Sequence, residues 1–222
     1  MSNKTIFAIL GLAIFPIFAI IYTKKKSSAE EEKPAIEAMM DGNARFASAH
    51  SRHPDEGTNR SREVALVQHP KAVVIACSDS RVSPELVFDE GLGDLFVIRS
   101  AGNILGQTEL GSVEYAVEHL EVPLIIVMGH ERCGAVKAMV DGAHESGSLQ
   151  SILDSLNNEA EIQAIPLDDS NRLEQCVLAN IRHGVKALST QSKVVHEKLE
   201  EGKLKIVGVR YDLDDRKVTI VQ

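Results

Sequence analysis

Four short apolar runs constrain the fold of this 222-residue chain more than any other feature of its sequence. They are rich in valine and isoleucine, none alternates regularly with polar residues, and they span 72–76, 95–98, 122–128 and 204–209. A strand that is apolar on both of its faces has to be covered on both faces, as the strands of a parallel sheet are. Each run therefore predicts a buried β-strand.

Segments with helical spacing separate these predicted strands. Residues 34–49 carry a rough apolar stripe after a proline that suits a first helical turn, 108–120 repeats its apolar residues at helical spacing, and 172–199 is amphipathic. Strands that alternate with helices favour an α/β fold with a mainly parallel β-sheet flanked by helices. We expect a turn at Asp214–Asp215 before a final strand, and a polar loop at 50–62.

The N-terminal segment is expected to be separate from the folded body. Residues 6–22 contain no charged side chain, and three lysines follow at 24–26, within a charged tether that ends near residue 33. The uncharged length is near the short limit for a membrane-spanning helix and slightly long for the core of a signal peptide. We therefore divide the chain into an anchor or signal segment with its tether, 1–33, and a folded domain, 34–222.

The expected location of the protein depends on that segment. An uncleaved anchor would make the protein membrane-associated through residues 6–22, and the lysines on its C-terminal flank would favour a body on the cytoplasmic side. A cleaved signal peptide would instead export the body. The sequence leaves both alternatives, and thus the side of the membrane, open.

Charge and cysteine content exclude two classes of protein. The net charge is −8, but residues 1–26 contain four lysines and no acidic residue, so the remainder carries −12. A body this acidic repels phosphate backbones, and we expect no nucleic-acid partner.

The three cysteines are too few, and odd in number, for a disulfide framework. Cys176 lies inside a helical pattern and is expected to be a buried apolar residue.

Two of the predicted strands end in side chains that bind metals. Cys77 closes the first apolar run, and His130 and Cys133 follow the third run, three residues apart. Because the carboxyl ends of parallel strands meet at one edge of a sheet, the three side chains converge if these strands are neighbours. Two thiolates and an imidazole suit Zn²⁺, and three protein ligands leave a fourth position open, as in catalytic zinc sites. The alternative is a pair of buried cysteines and a core histidine.

Two charged residues, Asp79 and Arg81, closely follow Cys77. A zinc-bound water can ionise near neutral pH, but two thiolate ligands make that ionisation harder, so a nearby hydrogen-bond acceptor becomes useful. Asp79 is placed to accept a hydrogen bond from such a water or hydroxide, and Arg81 to hold the carboxylate away from the metal. The alternative is an ordinary surface ion pair.

Five stretches of the sequence together resemble the β-class carbonic anhydrases. They are CSDSRV at 77–82, FVIRSAGN at 96–103, GSVEYAVEHL at 111–120, GHERCGAV at 129–136 and VGVRYDLDDRKV at 207–218. The resemblance covers about 36–222 and implies a parallel-sheet α/β fold, one Zn²⁺ per subunit, and homodimers or multiples of dimers. It implies reversible hydration of CO2 to bicarbonate and a proton by zinc-bound hydroxide, with Asp79 and Arg81 acting as a gate at the metal.

The resemblance also implies a set of substrate-binding residues. Gln68 would bind substrate through its side-chain amide from across the dimer, and the backbone N–H of Gly134 would donate to bicarbonate. Phe96, Ala101 and Tyr115 would form the apolar wall of the pocket, with Tyr115 contributed by the partner subunit. Each of these residues could also be ordinary core packing.

Two other functions are compatible with the same residues. A hydrolase of CS2 or COS would use the same zinc hydroxide but would need restricted access to the site, and no long occluding insertion is evident. A non-catalytic, zinc-stabilised interaction module would need neither the Asp79–Arg81 pair nor Gln68. The sequence therefore favours the carbonic anhydrase.

Overall fold

The apolar runs form one five-stranded sheet in the computed structural model, which describes residues 34–222. The strands are β1 Ala72–Cys77, β2 Leu95–Ser100, β3 Leu124–His130, β4 Lys205–Tyr211 and β5 Val218–Val221. Their order in the sheet is β2-β1-β3-β4-β5. The first four strands are parallel to one another and β5 is antiparallel to β4, so the predicted α/β fold with a mainly parallel sheet is confirmed.

β1 and β3, the inner two of the four parallel strands, match the apolar pattern most closely. Every residue of β1 and β3 is buried, as expected of strands that do not alternate with polar residues. The third apolar run begins at Val122, but β3 begins only at Leu124. Pro123 lies between them and has no N–H to donate to the sheet.

The helices surround this sheet. Within residues 34–222 they are α1 Ala35–Ala47, α2 Thr58–Glu63, α3 Pro84–Val87, α4 Gln107–His119, α5 Gly134–Val140, α6 Ser148–Asn157, α7 Ala160–Gln163, α8 Arg172–Gln191 and α9 Lys193–Glu200, with a 3₁₀ turn at Ala101–Asn103. The prediction of a loop throughout 50–62 was wrong, because α2 occupies its second half. This helix buries no side chain, so it carries no apolar periodicity.

The amphipathic segment 172–199 forms two helices rather than one. Ser192 separates them, with extended backbone angles of φ −109° and ψ 117°. Its hydroxyl accepts a hydrogen bond from the N–H of Val195 at 3.2 Å, which caps α9, and donates to the carboxylate of Glu114 at 2.7 Å. The apolar period continues through the break, which is why the pattern alone predicts a single helix.

Apolar clusters lie on both faces of the sheet, because side chains alternate along each strand. Val73 and Ile75 of β1 belong to a cluster that includes residues of α4, α5, α6 and α8. Val74 and Ala76 belong to a second cluster with residues of α1 and α3. Cys176 is fully buried in the first cluster, as predicted. With both faces covered, the carboxyl edge of the parallel strands is where functional side chains gather.

Helix α1 is joined to the end of the chain by one buried side chain. The amide of Asn43 donates to the carbonyl oxygens of Val87 at 3.1 Å and Arg216 at 3.0 Å, and it accepts from the N–H of Val218 at 2.8 Å. The neighbouring Gly42 allows this close approach, because a Cβ at that position would lie 1.8 Å from the Phe88 carbonyl oxygen. These hydrogen bonds connect α1 to the start of β5.

No helix within residues 34–222 is both long and apolar enough to cross a membrane. The anchor predicted at 6–22 belongs to the segment 1–33, which lies outside the described residues.

Candidate metal centre

The centre forms where two neighbouring parallel strands end. β1 and β3 pair directly, with Ala76 opposite Met128 in the register, so Cys77 and His130 lie at the same edge of the sheet. A short turn follows β3, in which Arg132 adopts a left-handed φ of 52°, and Cys133 immediately precedes α5. The turn returns Cys133 to the end of β1.

The three predicted ligands converge. Their ligating atoms lie within 4.8 Å of one another, and the Sγ atoms of Cys77 and Cys133 are 4.0 Å apart. Two sulfurs bound to one tetrahedral zinc at 2.3 Å would be separated by about 3.8 Å. All three residues are buried, with 5%, 0% and 1% of their surface exposed for Cys77, His130 and Cys133. The spacing and the donor set both fit zinc.

The imidazole of His130 has the protonation pattern of a metal ligand. Its Nδ1 lies 2.9 Å from the carbonyl oxygen of Glu131, an acceptor only, so Nδ1 carries the proton and donates it there. Nε2 is then left with a free lone pair. This atom is buried and has no hydrogen-bond partner, which is costly for a polar atom unless a ligand takes the lone pair. A metal ion facing the two sulfurs would satisfy it.

The two thiols are arranged to share a single proton. The backbone N–H groups of Asp79 and Gly102 donate to the Sγ of Cys77 at 3.4 and 3.3 Å. The hydrogen bond from Cys133 lowers the pKa of Cys77 to about 4, against the effect of burial. That same contact, together with burial, raises the pKa of Cys133. A divalent cation would replace the shared proton and stabilise both sulfurs as thiolates.

The carboxylate of Asp79 lies beside the centre and is held by Arg81. The guanidinium donates from Nε to Oδ1 at 2.9 Å and from Nη2 to Oδ2 at 2.7 Å, and the backbone N–H of Arg81 also donates to Oδ1 at 2.9 Å. These hydrogen bonds hold the pKa of the Asp79 carboxyl well below its usual range. Oδ2 is 3.9 Å from Nε2 of His130. An ionised acceptor therefore lies close to the metal position.

Sequence reasoning assigned no role to Arg99, although it organises the same loop. Its Nε and Nη2 both donate to the carbonyl oxygen of Cys77 at 3.0 Å, and Nη2 also donates to the carbonyl oxygen of Asp79 at 2.7 Å. These bonds connect β2 to the loop that carries the first cysteine and the carboxylate. The one available signal was a charged residue near the end of a short apolar strand, which is not specific by itself.

Two of the predicted substrate-binding residues adjoin the centre. Gly134 is exposed and begins α5 directly after Cys133. Ala101 begins the 3₁₀ turn whose next residue, Gly102, donates to the sulfur of Cys77. Gly134 is therefore adjacent in sequence to the candidate ligand Cys133, and Ala101 is adjacent to a residue that donates to the candidate ligand Cys77.

The structure does not bring the other three predicted residues to the centre of the same chain. Phe96 is paired with Val73, four residues or about 13 Å along the strands from Cys77. The ring of Tyr115 is 6.2 Å from that of Phe96, and Gln68 lies in the exposed segment before β1. These residues thus surround the opposite part of β1 and β2.

Comparisons with known proteins show what the chain is similar to. A family model described as carbonic anhydrase matches residues 72–218. The chain is 36% identical to carbonic anhydrase 2 of Mycobacterium tuberculosis and 38% identical to the carbonic anhydrase of Mycolicibacterium smegmatis, in each case over 84% of this chain and 91% of the relative.

Solved structures have the same fold. The structure of the β-carbonic anhydrase CcaA is similar with a TM-score of 0.67 and 30% identity, covering 84% of this chain and 95% of that one. A tetrameric β-carbonic anhydrase from the ascomycete Sordaria macrospora is similar with a TM-score of 0.65 and 26% identity, covering 84% and 96%. The likeness extends across nearly all of the described residues.

Proposed function

The chain belongs to the β-class carbonic anhydrase family, and from that premise we infer that Cys77, His130 and Cys133 hold one catalytic Zn²⁺. Its reaction is the reversible hydration of CO2 to bicarbonate and a proton. The zinc assignment rests on the buried Nε2 of His130, which has no hydrogen-bond partner, and on the ligating atoms of His130 and both cysteines, which lie within 4.8 Å of one another. When bound there, zinc supplies a water whose pKa is low enough for attack on CO2 near neutral pH.

Asp79 and Arg81 would orient the nucleophile, which forms when that water loses its proton to the solvent. Asp79 would accept a hydrogen bond from it and so direct a lone pair toward CO2. Because the hydrogen bonds from Arg81 keep the pKa of Asp79 well below its usual range, the carboxylate stays ionised and acts as an acceptor rather than as a store for the released proton. Arg81 also engages both carboxylate oxygens, which keeps Asp79 from moving onto the metal. Gly134 donates its backbone N–H to bicarbonate, and Ala101 contributes to the pocket wall.

We assign Gln68, Phe96 and Tyr115 to the active site of a partner subunit in a homodimer. Their displacement from the metal ligands of their own chain supports this assignment. The surface around them also supports it, since Leu66 is 97% exposed, Val67 is 55% exposed and Tyr115 is 48% exposed. Apolar side chains this exposed and close in sequence to a functional residue are typical of a subunit interface.

Mixed dimers test the sharing of residues between subunits. Gln68→Leu and Cys77→Ser variants, each inactive alone, are coexpressed with different affinity tags and purified as the mixed species. If Gln68 serves the partner's site, one site per mixed dimer is complete and about half of the wild-type activity returns. Mixed dimers as inactive as the parents would place Gln68 in its own subunit and contradict the assignment.

The zinc assignment is tested with metal analysis and stopped-flow CO2 hydration on the full chain. We expect one zinc per subunit, loss of activity after chelation, and recovery with one equivalent of zinc. COS and CS2, tested in parallel, are expected to be poor substrates. Full activity in protein that contains no metal would refute the assignment.

We propose that residues 6–22 attach the enzyme to a membrane, with a cleaved signal peptide as the alternative. The proposal is supported by the seventeen consecutive uncharged residues and the three lysines that follow them. Fractionation with an alkaline wash tests the attachment, N-terminal sequencing tests cleavage, and protease protection tests the side of the membrane. A mature protein that begins after residue 22 and stays in the soluble fraction would contradict the proposal that residues 6–22 are an uncleaved membrane anchor.

A further inference from the structure

Glu131 lies in the turn between the proposed zinc ligands His130 and Cys133 and makes three hydrogen bonds to β4 and to the hairpin turn 212–217. Its backbone N–H donates to the carbonyl oxygen of Tyr211 at 3.1 Å. Its Oε1 accepts from the N–H of Leu213 at 2.9 Å, and its Oε2 accepts from Nη2 of Arg210 at 3.1 Å. The side chain is only 13% exposed. The residue therefore has little freedom to rotate.

The carbonyl group of the same residue orients the zinc-binding imidazole. The oxygen of Glu131 accepts the Nδ1 proton of His130 at 2.9 Å, and this bond leaves Nε2 with its lone pair for the metal. The next residue, Arg132, has a left-handed backbone, with φ 52°, so the turn to Cys133 is tight. A rotation of the Glu131 peptide group would thus move the acceptor away from the ring.

A carboxylate is the side chain that fits this position. Both of its oxygens accept hydrogen bonds, Oε1 from Leu213 and Oε2 from Arg210, and Oε1 also pairs with Nη2 of Arg132 at 2.8 Å, so a glutamine amide would direct its NH₂ group at one of these donors. Arg210 also pairs with Glu174 of α8 and with Asp212, which fixes the guanidinium that meets Glu131. The network therefore connects α8, β4 and the hairpin turn to the metal-binding turn.

We propose that Glu131 is a positioning residue for the zinc ligand His130, acting through its own carbonyl oxygen. The inference rests on the proposed binding of zinc by Cys77, His130 and Cys133. Partners that orient a metal-ligating histidine typically contribute 10-fold to 100-fold in metal affinity.

The test compares Glu131→Gln with Asp215→Asn. Both remove one negative charge at or beside the hairpin turn, but the carboxylate of Asp215 pairs with Lys217 at the surface, with 50% and 65% of their side chains exposed, and its backbone bond to Asp212 is kept in the variant. Zinc affinity is measured by competition with a chromogenic chelator, and the cobalt(II)-substituted enzymes are compared by visible absorption. We expect about 10-fold to 100-fold weaker zinc binding and an altered cobalt spectrum for Glu131→Gln, with both unchanged for Asp215→Asn.

A purely structural role would lower the free energy of unfolding of Glu131→Gln while leaving its zinc affinity and cobalt spectrum as in the wild type, and that result would overturn the proposal. If Glu131→Gln does not fold, Glu131→Asp retains the charge but is one methylene shorter and so changes the contacts with the same donors, and the same two measurements decide. A wild-type chain that binds no zinc would instead refute the proposed function, which is a different outcome.

Discussion

Replacing Glu159 with glutamine should make the stability of the protein less dependent on pH. Glu159 directly precedes α7, only 4% of its surface is exposed, and its Oε2 has no hydrogen-bond partner. Burial, with a contribution from the charge of Glu161, raises the pKa of the Glu159 carboxyl from 4.5 to about 8. The folded protein therefore holds the proton more tightly than the unfolded chain does.

The sign and size of the effect follow from that difference. The pKa of Glu159 is higher in the folded protein than in the unfolded chain, so protonation of this carboxyl favours the folded state. Its contribution to the free energy of unfolding is fully present below pH 4.5 and is lost as the pH rises toward 8. Raising a pKa from 4.5 to about 8 corresponds to about 5 kcal/mol at 1.36 kcal/mol per pH unit. Water that reaches the ionised carboxylate relieves part of this cost, so we expect about 2–4 kcal/mol.

Urea unfolding of the zinc-saturated proteins measures this difference in the free energy of unfolding, over a range of about pH 5 to pH 9 that covers the titration of Glu159 in the folded protein. Glu159→Gln should match the wild type at the acidic end and exceed it by about 2–4 kcal/mol at the alkaline end. Asp168→Asn, which removes an exposed charge from the neighbouring loop, is the matched control and should follow the wild type throughout. The same pH dependence in the wild type and in Glu159→Gln would refute the reasoning.

Three further substitutions test the centre and the packing around it. Asp79→Asn should keep one zinc per subunit but lower kcat for CO2 hydration by about 100-fold or more in stopped-flow measurements, and an unchanged kcat would contradict the acceptor role. Cys77→Ser should lose its zinc on dialysis. One zinc per subunit in a metal analysis of the dialysed variant would show that Cys77 is not a ligand. Gly42→Ala should lower the free energy of unfolding by about 3 kcal/mol or more, because its Cβ would lie 1.8 Å from the carbonyl oxygen of Phe88. Gly111→Ala, where nothing lies within 4 Å, is the control, and an equal loss of stability in both would contradict the packing argument.

The central strands could be predicted from the sequence because β1 and β3 are covered on both faces, where only apolar residues fit. Helix α2 could not, since it buries nothing and so has the composition of a loop. The break at Ser192 could not be predicted either. One of the two partners of its hydroxyl is Glu114, 78 residues earlier in the chain, and no local pattern reports such a contact.

The metal ligands could be predicted because a parallel sheet brings the ends of its strands to one edge, where Cys77 and His130 carry the donor atoms. The roles of Arg99 and Glu131 could not. Arg99 acts by binding carbonyl oxygens, and Glu131 by offering its own carbonyl oxygen to a ring. Which backbone groups meet depends on strand register and on the turn between β4 and β5, and neither can be read from residue types.

The bonds of Asn43 have a consequence for how the protein is made. Its partner Val218 lies 175 residues further along the chain. A ribosome that adds 5–20 residues per second needs about 9–35 s to translate that interval. Throughout this time α1 has already been synthesised, while β5, which contains Val218, has not. Folding of the body can therefore be completed only after Val218 has been synthesised.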